Sequence, residues 1–252
     1  HLTVSANSIT NKNGQIETNG IANYNADVNN NNGFLYGYNG LSLSFVDNED
    51  GIIMADGGTI SLTQTEGLDN TNGQVINVDG NVDIGARNIT NTNGELVASN
   101  MLSALNLGDF TTHGSLMAGD TLRLSANSLT IDDGLYAGNL LSLQTDSTDP
   151  DSFVVQSDSW LSSDGSIYIE SGGAITNMGD IEASRNMVVK SDKGHIQNKA
   201  GASIVAGQVL MIDAEDDMIN NSEMIGGDVT IHASNNLTNY HSIIANNNLN
   251  IL

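Results

Sequence analysis

The stretch Leu2 to Gly20, LTVSANSITNKNGQIETNG, sets a pattern that returns down the chain at a spacing of about 20 residues. Residues 82–100 read VDIGARNITNTNGELVASN, residues 122–139 read LRLSANSLTIDDGLYAGN, and residues 229–248 read VTIHASNNLTNYHSIIANNN. The shared skeleton is apolar-x-apolar-x-Ala, then apolar-Thr-Asn, then x-apolar-x-Ala. Weaker copies open at Ile21, Leu41, Ile60, Leu102, Leu141, Ile167, Val188 and Leu210. They give about a dozen units with no gap long enough for a separate domain, so residues 1–252 read as one repeat array.

Each apolar cluster is short and alternates with polar neighbours, as in Leu2-Thr3-Val4 or Ile167-Tyr168-Ile169. That is the period of a half-buried strand and not of a helix. Three such strands fit in a unit, and Asn, Gly, Asp and Ser fill the corners, where the chain must turn and often take positive φ. A unit of this kind closes into a flattened loop, and loops stack only by pairing each strand with its parallel equivalent one turn along. The expected fold is therefore all-β, a parallel β-helix, right-handed by the general rule for parallel crossovers. A lone coil offers too few inward apolar side chains to offset the entropy of ordering its backbone. Stability becomes a sum over coil-to-coil interfaces, and stacked coils at strand spacing predict a rod on the order of 55 to 60 Å long.

Composition bears on the interior and on the partners. Only 4% of residues are aromatic against 38% hydrophobic, so small and branched aliphatics line the coils. There is no cysteine, which removes disulfides and thiolate metal sites. The formal net charge is -23, with 30 acidic residues against 7 Lys and Arg. Phosphate binding needs a basic stripe that this chain lacks, so nucleic acid is set aside. No run approaches the length of a membrane-spanning helix, and the N-terminus has no signal-peptide pattern. His1 opens in mid-repeat and Leu252 stops in the next one, with no polar capping unit at either end, so the chain is expected to be a segment of a longer rod.

Two columns are legible at corners. Asn11, Asn91, Asn177, Asn220 and Asn239 hold one corner, where Asn can take a left-handed conformation and stacked amides can hydrogen-bond as a ladder. Ala6, Ala86, Ala126, Ala214 and Ala233 mark a point where only a small side chain fits. A third column, Glu170, Lys190, Asp213 and His232, follows the first strand of consecutive units and predicts cross-strand charge pairing.

Candidate binding residues come from the irregular stretches. Phe34, Tyr36 and Tyr38 alternate, and could form a sugar-stacking platform or simply cover part of the rod. The corner with Asp47, Glu49 and Asp50 could gather oxygens for calcium, although no calcium repeat is present beyond one incomplete echo at Gly226, and solvated corner acids are the plainer reading. Between 144 and 165, QTDSTDPDSFVVQSDSWLSSDG carries the only proline, Pro150, and the only tryptophan, Trp160. Leu141–Leu143, Phe153–Val155 and Trp160–Leu161 read as three strands of an expanded coil, with Asp146, Asp149 and Asp151 on a protruding loop; such loops are where binding usually sits, and ordinary corner variation is the alternative. No cofactor, metal site or catalytic set is expected: no His pair has ligand spacing, no serine sits in a nucleophile elbow and no glycine loop opens a helix.

The units LTVSANSITNKNGQIETNG, VDIGARNITNTNGELVASN and LTNYHSIIANNNLNIL resemble the repeats of filamentous haemagglutinin and of the related contact-dependent inhibition exoproteins of Gram-negative bacteria, over nearly the whole chain. The resemblance implies a secreted or cell-surface protein exported by two-partner secretion, with an outer-membrane transporter as export partner. It further implies a β-helical shaft that adheres to a receptor or glycan on a host or neighbouring cell, or presents a toxin at a distance. The alternatives are a carbohydrate-binding β-helix or a polysaccharide-active one of the pectate-lyase type, which would need a groove with long loops on one side and a basic residue to stabilise a developing anion.

Overall fold

The computed structural model describes residues 1–62 and 67–252. Among these, every helix or strand element is a strand, and no helix is long and apolar enough to cross a membrane. Strands pair in parallel with their equivalents one turn along, in about a dozen turns of about 20 residues, consistent with the right-handed coil that parallel crossovers favour. The chain divides into two compact units, His1–Gly108 with Thr112–Leu124, and Asp109–Thr111 with Ser125–Leu252.

In the first unit the opening coils fuse two of the three expected strands. Leu2–Thr10 pairs with Ala22–Asn29, which pairs with Gly40–Asp47. A register shift between Ser5 and Ser8 marks the bulge that bends this long strand without ending its ladder. Further on the strand divides, as in Gly80–Ile84, Ile89–Thr90 and Glu95–Ala98. In the second unit the three-strand coil is regular: Ser166–Ser171, Ile175–Asn177 and Asp180–Ala183 make one turn, Asn186–Ser191, Ile196–Asn198 and Ser203–Ala206 the next. Residues 63–66 lie outside the described residues.

Register corrects two of the predicted coil openings by one residue. Leu2 pairs with Ala22, and Ile21 is 36% exposed. Ile167 pairs with Met187, which is buried, and Val188 points outward. The alternation of a strand has period two, so a one-residue slip exchanges the faces; Ile21 and Val188 are apolar residues on the outer face beside true core positions.

The corner columns explain why the coils stack in one register. In the first unit the amide of Asn11 donates to Oδ1 of Asn30, Asn30 to Asn48, Asn48 to Asn70 and Asn70 to Asn91, at 2.8, 2.7, 2.7 and 2.7 Å. In the second unit Asn177, Asn198, Asn220 and Asn239 repeat this at 3.0, 2.9 and 2.8 Å. Each ladder amide also reaches a backbone carbonyl, as Asn70 does to Gly73 O and Glu95 O. The ladder is thus as expected, and Asn30, Asn48, Asn70 and Asn198 join it. The backbone expectation needs correction: the left-handed residues are not the ladder asparagines but those two positions later, Asn13, Asn32, Asp50, Asn72 and Asn93, with φ of 51 to 54°. The turn closed by a hydrogen bond from Gly14 N to Asn11 O, 3.0 Å, has positive φ at its third residue and not at its second, the type II arrangement, which Asn and Gly tolerate. The ladder side chains of Asn30, Asn48 and Asn70 are instead buried, each amide nitrogen donating to the next ladder oxygen and to backbone carbonyls.

The glycine that follows each left-handed residue has a different cause. A Cβ on Gly33, Gly73 or Gly94 would lie 2.2 Å from the carbonyl oxygen of the ladder asparagine one coil before. The coils approach too closely there for any side chain.

Of the small-residue column, Ala86, Ala126 and Ala214 are buried, whereas Ala6 is exposed and Ala233 half-buried. In the second unit the column runs Thr145, Ser171, Ser191, Ala214, Ala233. Its hydroxyls bond internally, with Thr145 Oγ1 2.9 Å from Ser171 Oγ and Ser191 Oγ donating to Gly173 O at 2.7 Å. The charge column is also formed. Lys190 Nζ lies 3.1 Å from Glu170 Oε1, and His232 Nδ1 2.7 Å from Asp213 Oδ1. Hydrogen bonds from Tyr168 and Lys190 hold the Glu170 carboxyl below its ordinary range. Partly exposed pairs of this kind contribute at most about 1 kcal/mol each.

One core residue breaks the pattern. Tyr24 is 1% exposed and its hydroxyl has no hydrogen-bond partner, and burial raises its pKa. Tyr24→Phe removes a buried polar group with nothing to lose, and its stability in chemical denaturation is expected to rise by about 1 kcal/mol.

Candidate functional site

In the second unit three short strands lie side by side, Gly134–Ala137, Trp160–Ser163 and Asp180–Ala183. Their alternation sends Leu135, Leu161 and Ile181 into the core and leaves two outward columns. One is Gly134, Trp160, Asp180; the other is Tyr136, Ser162, Glu182. Together they shape an open groove of about 510 Å³ lined by Tyr136, Trp160, Leu161, Ser162, Asp180 and Glu182.

The groove owes its form to a glycine. A Cβ on Gly134 would fall 2.2 Å from Cζ2 and 2.3 Å from Cε2 of Trp160, so the indole occupies the space over Gly134. An aromatic laid across a neighbouring strand's glycine covers the backbone that the glycine exposes. Trp160 still remains 42% exposed. Tyr136 is fixed from its far end, its hydroxyl donating to Asp164 Oδ2 at 2.7 Å, and this bond raises the phenol's pKa. Asp180 accepts from Ser203 Oγ at 2.7 Å. No Lys, Arg or His lines the groove. The arrangement offers ring surface and two carboxylates to a ligand.

Of the residues singled out in the sequence, Trp160 is therefore brought into a concave site, with partners the sequence did not flag. Asp146, Asp149 and Asp151 are on the same coil but do not line the groove. They follow the strand Leu140–Thr145 and precede Phe153–Val155, one corner before Trp160. Their side chains are exposed, but the backbone does not stand free: a Cβ on Gly172 would lie 2.8 Å from Asp146 O, and one on Gly173 2.3 Å from Asp149 O. The loop is packed against the next coil's corner.

In the first unit Phe34 and Tyr36 stack with ring centroids 6.3 Å apart and planes 7° from parallel. Tyr36 donates to Asp56 Oδ2 at 2.7 Å, and Tyr38, beyond the strand Phe34–Gly37, is 51% exposed and outside the stack. Tyr36 continues in register into Met54, Ile76, Val97 and Met117, a half-buried apolar column on the outer face. Cross-strand contacts of this kind stabilise a sheet. The corner acids Asp47 and Asp50 serve the turn: Asp47 Oδ2 accepts from Asn29, and Asp50 takes the left-handed position. Among the described residues no group of three or more His, Asp or Glu could hold a metal ion.

The tyrosine–aspartate bonds give a readout. The bond to Asp56 pushes Tyr36 up to about 12, and Tyr136 and Tyr168 are raised too, Tyr136 chiefly by Asp164 and Tyr168 chiefly by burial. A raised phenol binds its proton more tightly when folded, so its contribution is present below the unfolded pKa near 10 and is lost as pH rises through the folded value. In an ultraviolet titration Asp56→Asn is expected to bring the ionisation of one tyrosine down from about 12 toward its ordinary value; an unchanged curve means that Asp56 does not hold it. No protein-family model, curated protein or solved structure matches the chain.

Proposed function

We propose that this chain is a stretch of shaft from a large exported exoprotein of a Gram-negative bacterium, of the filamentous-haemagglutinin type. In that reading it holds adhesive or toxic parts away from the cell and reaches the surface through an outer-membrane transporter of the two-partner kind. The observation that carries the proposal is the coil itself: repeated parallel turns of about 20 residues, locked within each unit by internal asparagine ladders. Such a unit extends by repetition, since each coil supplies the template for the next. The outward groove at Trp160 lacks the basic group that stabilises an anion in polysaccharide cleavage, which favours the shaft over the enzyme.

Sequencing the parent locus outward from both ends tests this. Further repeats joined to an export domain, with a transporter gene beside them, are the expected result. Release of unsaturated product from polygalacturonate with calcium would overturn the proposal in favour of a lyase.

A further inference from the structure

We propose that the groove at Trp160 is a docking site for a basic side chain, arginine or lysine, presented by a partner protein. The inference stands apart from the export reading, because it rests on the groove alone.

Three observations converge. First, the groove is built and not incidental: the indole of Trp160 is seated over Gly134, and Tyr136 is tethered through its hydroxyl to Asp164. Both rings are thus held before any ligand arrives, which reduces the ordering that binding must impose. Second, the wall beside the rings carries Asp180 and Glu182, two exposed carboxylates at alternate positions of one strand, with no Lys, Arg or His among the lining residues. Third, the chain as a whole carries -23, so the field at the groove repels anions and draws cations inward.

Charge complementarity selects the occupant. A guanidinium or ammonium group gains from the π-face of tryptophan, the strongest aromatic partner for a cation, and from the carboxylates at once. The apolar stem of Arg or Lys can lie along Tyr136 and Trp160 while its head reaches Asp180 and Glu182, the division of labour these side chains show elsewhere. A neutral sugar could stack on the rings but would draw nothing from the long-range field, and an acidic glycan would be repelled by it. Arginine is the better fit, since its planar head both stacks and pairs with carboxylates.

The chain has one tryptophan, so intrinsic fluorescence reports on this groove directly. The folded chain is titrated with acetyl-Gly-Arg-Gly-amide, with the same peptide carrying citrulline in place of arginine, and with a neutral glucose oligosaccharide. A saturable change with the arginine peptide is expected, at least about tenfold tighter than with citrulline, which has the same shape without the charge. Affinity should fall as salt rises, because an exposed charge contact is screened. Glu182→Gln should weaken arginine binding about threefold, the scale of one exposed charge contact, and leave the citrulline peptide unaffected, with an unchanged circular dichroism spectrum to show that the fold is intact. Equal binding of both peptides, binding of the oligosaccharide in preference to the arginine peptide, or no change with the arginine peptide would each overturn the proposal. Should Glu182→Gln perturb the fold, the salt dependence and the citrulline comparison on the unaltered chain still decide it.

Discussion

Gly73→Ala is expected to lower the stability of the first unit by about 3 kcal/mol, near the upper end of what one added methyl costs in a packed interior. The added carbon would sit 2.2 Å from Asn48 O, 2.7 Å from Asn70 Oδ1 and 2.9 Å from Asn48 Nδ2. The first of these is backbone and the others belong to a bonded ladder, so the coils must separate at that corner. Gly201→Ala is the control. Its φ is +88°, but a Cβ there meets nothing within 4 Å, so it suffers only the conformational cost of a left-handed alanine, roughly 1 to 2 kcal/mol. Urea denaturation followed by circular dichroism compares the two. If Gly201→Ala proves the more damaging, the close approach of successive coils is not what requires Gly73.

Asn70→Ala is expected to cost about 3 kcal/mol, because it leaves buried groups without partners on both sides. Asn70 is fully buried. It accepts from Asn48 Nδ2 at 2.7 Å and donates to Asn91 Oδ1 at 2.7 Å, so its loss strands a donor on one coil and an acceptor on the next. Asn70→Asp separates the two roles. A carboxylate still accepts from Asn48 but turns negative oxygen toward Asn91 Oδ1, Gly73 O and Glu95 O, which the native amide satisfies by donating. At neutral pH this variant should be the less stable of the two, as a buried charge facing acceptors is costly. Its carboxyl is then raised in the folded state, so relative to the native chain it regains stability below its unfolded pKa and loses it as pH rises through the folded value. A variant that is equally stable at pH 7 and pH 4, relative to native, would mean that the amide's donation to the next coil carries no weight.

Both predictions turn on a motif that is partly visible in the sequence. Asn91-Thr92-Asn93-Gly94 spells out the ladder residue, the left-handed residue and the glycine in order. Reading which asparagine does what required the backbone, because both residue types at the corner tolerate a turn and only the pattern of hydrogen bonds assigns inside and outside. Asn30 was hidden in the run Asn29 to Asn32 for the same reason: four equal side chains give no alternation. Trp160 was legible as unusual, yet its neighbours were not. The expanded coil shifts the count, Thr145 meeting Ser171 26 residues on where Asn11 meets Asn30 after 19, so column mates cannot be found by adding a fixed repeat.

By itself the sequence determined the class of fold, the coil, and the strand character of each face, because short-range alternation and the need to bury it are properties of consecutive residues. It also determined that any site must work in a strongly negative field. Tertiary structure alone decided which side chains share an outer face. Parallel stacking brings Gly134, Trp160 and Asp180 of three successive coils into one column at steps of 26 and 20 residues. Alternation along each strand fixes which side chains face outward, but the insertion in one coil's corner changes the count between column mates, so only the pairing of coils shows which of them meet.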